Sequence, residues 1–259
     1  MFKQLNQHRT FFLVLSVVVA ILIWESIIWI WQLPAFILPG PGLVLARFGR
    51  AVLDGSLLRH SAITLVEVLI GLLIGSVMAM LTGYLLAKSP AAERFLSPYL
   101  VASQAVPLVA IAPLLIIWFG PGLISKILIC SLIVFFPVLV NTIVGLRAVP
   151  ENLRDLMRSL RATRGEMLRM LEVPAALPVF LGGLRVGATL SVIGAVVGEF
   201  VGSDRGLGFL INVGRGQYDT ALVFASILTL ILMALRLYGA VVLAERRLLH
   251  WQHHSTNHA

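Results

Sequence analysis

Residues 98–146 read PYLVASQAVPLVAIAPLLIIWF, then GPG, then LISKILICSLIVFFPVLVNTIVGL, and Lys126 is the only charge among them. A helix needs roughly 20 apolar residues to cross a hydrocarbon core of about 30 Å, and each flank supplies that length. Gly120-Pro121-Gly122 leaves room only for a tight turn, so the stretch predicts two antiparallel membrane helices. Four more apolar runs lie outside this pair, giving six in all: 11–31, 62–87, 98–119, 123–146, 179–201 and 221–244.

Composition agrees. Hydrophobic residues are 59% of the 259-residue chain and charged residues 12%, against about 45–50% and about 25% in a soluble domain. The expectation is an all-α membrane protein of six transmembrane helices. Three parts follow: an N-terminal segment 1–10, a membrane domain 11–244 and a tail 245–259. The net charge of +8 sets orientation rather than nucleic-acid binding. With the N-terminus inside, fourteen of the 20 Lys and Arg residues fall on the inner side. An even number of spans returns the basic C-terminus there too. No small-residue cleavage site follows the first run, where Gln32-Leu33-Pro34 stands, so that run reads as a retained helix.

Gly71, Gly75, Ala79 and Gly83 form a small-residue stripe along the second run. Such a stripe admits a second helix backbone at close range or lines a solute path. Pro107, Pro113 and Pro137 interrupt the third and fourth runs and free backbone carbonyls. Ser103-Gln104-Ala105-Val106-Pro107 is the most polar patch of the third. Glu25, Glu67 and Glu199 lie in or near spans. Acids at such depth make helix–helix or interfacial hydrogen bonds, or line a pathway. Asp204, Arg205, Arg215 and Asp219 lie outside, as a solvated loop or a contact for an external protein. His250, His253, His254 and His258 read as a solvated tail.

The inner loop 148–178 is polar yet patterned. Leu153, Leu156, Met157 and Leu160 make one apolar helical face. Thr163-Arg164-Gly165-Glu166 reads as a capping box that opens a second helix bearing Met167, Leu168 and Leu171, with Pro174 ending it. Two short amphipathic helices at a sharp angle follow. They suit either the headgroup layer or a docking partner.

The spacing of this loop resembles the "EAA" loop of the inner-membrane components of binding-protein-dependent ABC importers: Glu-Ala-Ala, three residues, Gly, nine residues, Ile-x-Leu-Pro. Asp155-Leu156-Met157 falls at the acidic-Ala-Ala positions, Arg161 at the glycine, and Leu171-Glu172-Val173-Pro174 at the closing motif. Leu156 and Met157 are larger than alanine, and Arg161 stands where the family has glycine. The resemblance extends over roughly residues 37–250. It includes Ile37-Leu38-Pro39-Gly40-Pro41, residues 112–120, Phe135-Phe136-Pro137, residues 198–202 and residues 206–211.

What the resemblance implies is a type I ABC importer permease architecture in the cell (inner) membrane. It also implies a second permease copy (a homodimer), a separate cytoplasmic ABC ATPase and an external substrate-binding protein, with lipid around the spans. No Gly-x-x-x-x-Gly-Lys-Ser/Thr pattern occurs, so ATP belongs to the partner and no cofactor is expected here. Asp155, Leu156, Met157, Arg161, Arg164, Met167, Leu168, Leu171 and Pro174 are then the ATPase-coupling residues. Glu67, Ser103, Gln104 and Glu199 are the pathway candidates. The branch is the one handling sulfonates, taurine, nitrate, thiamine-precursor pyrimidines and riboflavin. The 103–107 patch is similar to the vitamin-related members, which favours riboflavin or a hydroxymethylpyrimidine over a sulfonate. A proton-coupled carrier would show a buried relay or an inverted repeat. An intramembrane enzyme would show clustered catalytic residues. Neither pattern is evident.

Overall fold

The computed structural model describes residues 2–250; the tail histidines His253, His254 and His258 lie outside the described residues. The helices are α1 (Phe2–Trp31), α2 (Pro41–Leu53), α3 (Ser56–Lys88), α4 (Pro90–Gln104), α5 (Leu108–Phe119), α6 (Leu123–Arg147), α7 (Glu151–Ser159), α8 (Arg164–Met167), α9 (Val173–Gly202), α10 (Leu207–Gly216) and α11 (Thr220–Leu248). Five are long and apolar enough to cross a membrane, or six spans if α4 and α5 are taken together as one.

α6 is the centre, packed along its length between α3 and α9. Small residues make this approach possible. A Cβ on Gly71 would stand 2.3 Å from that of Cys130, and one on Gly75 would stand 2.6 Å from the Ser131 carbonyl oxygen. The stripe on α3 is therefore a packing seam against α6. Around it, Ala79, Val134, Val138 and Leu139 form one buried cluster, and Val68, Cys130, Val192, Ala195 and Leu207 belong to another. α1 packs lightly: no residue of its membrane-length window is fully buried, and Trp24 meets Phe224 of α11 with ring centroids 5.3 Å apart.

The third apolar run is not one straight span. α4 and α5 meet at 96°, and Ala105-Val106-Pro107 is the corner. Pro107 has extended backbone angles as the N-cap of α5, as expected where a missing donor stops one helix and begins the next. α4 starts on Ser89, whose hydroxyl accepts from the Ala92 amide at 3.2 Å, with Pro90 in its first turn.

Pro174 does not end the loop's second helix, contrary to the expectation from sequence. Leu168–Glu172 form a single π turn, after which α9 runs on to Gly202. The Val173 amide donates to Leu168 O, five residues back. The wider turn makes room for the Pro174 ring, which would otherwise meet the carbonyl of Met170. The loop helix and the fifth span are thus one continuous rod from Arg164 to Gly202.

Candidate functional site

Two regions of the bundle carry the candidate residues. The first is the corner formed by α7 and α8. α7 ends in a Schellman motif: the Ala162 amide donates to Met157 O at 3.0 Å and the Arg161 amide to Arg158 O at 2.9 Å. That motif needs a left-handed residue at its apex, and Arg161 occupies it with φ 57°. The position where the family has glycine is therefore the position whose backbone calls for one. α8 then begins on the expected capping box. Thr163 Oγ1 accepts from the Glu166 amide at 3.3 Å, and the Thr163 amide donates to Glu166 Oε2 at 2.7 Å.

Asp155 lies exposed on α7, where Arg158 reaches it at 2.8 Å and also reaches Glu151 at 3.1 Å. Arg154 turns back to donate to the Leu146 carbonyl at the end of α6, at 2.8 Å, a favourable place for a cation. Leu156 is exposed and Met157 half-buried. Arg164 is the exposed first residue of α8, whereas Met167, Leu168, Leu171 and Pro174 are half-buried against their own chain. The apolar surface left open at this corner is instead Leu153, Leu156, Leu160, Met170 and Val173. Met170 and Val173, in and just after the π turn, stand exposed where Leu168 and Leu171 are half-buried.

The second region lies at the opposite end of α3. Glu67 on α3 and Glu199 on α9 are brought together, and Glu199 reaches Thr64 across 135 residues of sequence. Thr64 Oγ1 donates to Glu199 Oε1 at 2.6 Å and accepts from the Leu207 amide at 2.9 Å. Glu199 Oε2 accepts from the Gly208 amide at 2.5 Å, and His60 Nδ1 accepts from the Gly206 amide at 2.9 Å. The amides of Gly206, Leu207 and Gly208 that open α10 are therefore taken by side chains of α3 and α9, and the carboxylate complements that helix end. Gly206 has φ 103°, and a Cβ there would stand 2.0 Å from Glu199 Oε1, so the turn admits glycine alone.

Lys126 completes the cluster. Its ammonium donates to Ser203 Oγ at 2.6 Å and lies 3.1 Å from Glu67 Oε1. Glu67, Lys126 and Glu199 are all buried, where an acid persists only when paired or hydrogen-bonded. Both oxygens of Glu199 are engaged with Thr64 and α10. Glu67 and Lys126 border a cavity of about 520 Å³ between α3, the 120–123 turn and Asp204-Arg205.

Ser103 and Gln104 stand elsewhere, exposed at the α4–α5 corner. Asp219, read from sequence as an outer-loop charge, caps α11 through the Leu222 amide at 3.0 Å and pairs with Arg47 at 2.7 Å. The sequence reading missed Lys126, Thr64 and His60. A signal was present: His60, Thr64, Glu67 and Gly71 repeat at helical spacing and continue the small-residue stripe on one face.

The described residues thus form a packed three-helix centre, a bent third span and a helical corner at one end. The description "binding-protein-dependent transport system inner membrane component" matches residues 71–250. The chain belongs to this family. As a member it is a permease subunit of an ABC importer and a multi-pass membrane protein, with ATP hydrolysis on a separate chain. The permease is 44% identical to the riboflavin transport system permease protein RibX of Chloroflexus aurantiacus, over 92% of this chain and 88% of that one. It is 37% identical to the formylaminopyrimidine transport permease protein ThiX of Halalkalibacterium halodurans, over 86% and 91%. Its fold is shared with the MetNI methionine ABC transporter in an inward-facing conformation, with a TM-score of 0.67 at 19% identity, covering 76% of the permease and 97% of that chain.

Proposed function

We propose that the permease imports a nitrogen heterocycle, riboflavin or a related vitamin precursor, handed over by an external binding protein. The observation carrying this reading is the 44% identity to a riboflavin permease across 92% of the chain. The corner at Ser103-Gln104 is consistent with it, since two hydrogen-bonding side chains stand at the broken span, where freed backbone groups also favour a polar lining. Glu67 beside its cavity is the second pathway candidate.

On this reading two copies of the permease form the pore. Their α7–α8 corners face the cytoplasm with both termini, and each corner seats in one ATPase subunit. Leu153, Leu156, Leu160, Met170 and Val173 supply apolar contact; Asp155, Arg161 and Arg164 form a charged rim that governs partner choice more than affinity. Lipid covers the outward faces of the spans. ATP is bound by the partner alone.

The test is to isolate the binding protein that co-purifies with the permease and to identify the ligand it retains. A bound flavin or aminopyrimidine is expected. A retained sulfonate, taurine or nitrate would overturn the substrate assignment.

A further inference from the structure

We infer that Glu172 and Lys88 form the link through which movement of the α7–α8 corner reaches α3. The inference rests on the reading of that corner as the ATPase seat. Glu172 closes the π turn and is 1% exposed; its Oε1 meets the Lys88 ammonium, the last residue of α3. Its Oε2 has no hydrogen-bond partner, so Lys88 alone compensates a buried carboxylate. Removing one member of such a pair strands the other. Lys88 is held in turn over the Tyr84 ring, 5.8 Å from its centroid, and sits where the carbonyls of a helix C-terminus favour a cation.

Position makes this contact mechanical. α8 and α9 are one rod, and its one irregular turn is Leu168–Glu172. Among the ion pairs of the described residues, Glu172–Lys88 is the one that ties that turn to another span. From Lys88 the α3 helix (Ser56–Lys88) runs back to Glu67 and Thr64, a distance of about 32–36 Å at 1.5 Å per residue. Those residues hold α10 and Lys126. A push on α8 is thus delivered to the inner end of the helix whose other end fixes the outer cluster. Glu172 and Lys88 act through α3 and are positioning residues.

The experiment uses the full permease–ATPase complex in nanodiscs and needs no solute. Cys130 is buried, so a thiol introduced by Ala62→Cys, on the exposed outer part of α3, is the one that reacts with an impermeant maleimide. ATP with vanadate should change its labelling rate by about threefold or more, a coupling of ordinary size. Lys88→Gln, which removes the charge but keeps a side-chain donor for Glu172, should retain the ATPase yet abolish that response. The exchange Lys88→Glu with Glu172→Lys should restore at least half of it. A full response in Lys88→Gln would overturn the inference. So would no response in the parent, loss of ATPase capture in Lys88→Gln, or an exchanged pair that assembles and stays silent. Leu156→Glu run in parallel separates the two readings. Unaltered ATPase capture in that variant overturns the docking seat by itself, whatever the Lys88 variants do.

Discussion

Arg161 holds a left-handed backbone conformation, which costs a non-glycine residue about 1–2 kcal/mol. Glycine removes that cost and returns part of the gain as unfolded-state entropy. Arg161→Gly should therefore stabilise the purified permease by about 0.5–1 kcal/mol, read as a raised unfolding midpoint. A lowered midpoint would contradict the Schellman geometry of the corner. The spacing of the loop motif made this position legible before any coordinates: a residue that should be glycine was marked as such. Glu199 was legible only as a costly acid, because its partners Thr64 and Gly208 come from other parts of the fold. Thr64→Val leaves the buried Leu207 amide without an acceptor and should cost about 1–3 kcal/mol, whereas Thr64→Ser should be nearly neutral. Thermal unfolding of the two variants side by side checks this, and equal losses would show that the methyl group, not the hydroxyl, carries the site.

Elements depended on sequence in different degrees. Long apolar runs placed α6 and α11 within four residues of their observed ends, whereas α3 begins at Ser56, six residues before its run, because a helix can extend beyond the hydrocarbon core that its apolar stretch spans. Proline was harder to read. Pro107 breaks its run with a 96° bend, yet Pro174 is carried through by a π turn, and Pro137 sits inside α6. Whether a freed carbonyl ends a helix is decided by neighbours that a single sequence does not place. The α3–α6 seam has a sharper consequence. Gly75→Leu would drive a branched side chain into the Ser131 backbone and should cost about 3 kcal/mol or more, seen as loss of folded protein from detergent extracts. Normal yield and stability would mean that the two helices pack elsewhere.

At the scale of the whole molecule, the permease is a rigid α3–α6–α9 centre with two differentiated ends. One end is sealed by ion pairs and caps around α10: Glu199 on the helix amides, Lys126 on Glu67, and Arg47 on Asp219. The other end presents the α7–α8 corner, tied into the bundle by Lys88–Glu172, Arg147–Glu93 and Arg185–Glu245. The corner was readable in sequence as two angled helices with a capping box, but the π turn was not, and with it the exposure of Met170 and Val173 beside the half-buried Leu168 and Leu171. The most direct measurement is site-specific photo-crosslinking from Leu156 in membranes containing the assembled importer. The account predicts an adduct with the ATPase subunit from Leu156 and none from Val101 on α4, which is also exposed but belongs to a span. An adduct to lipid alone from Leu156, with the ATPase present and active, would contradict it.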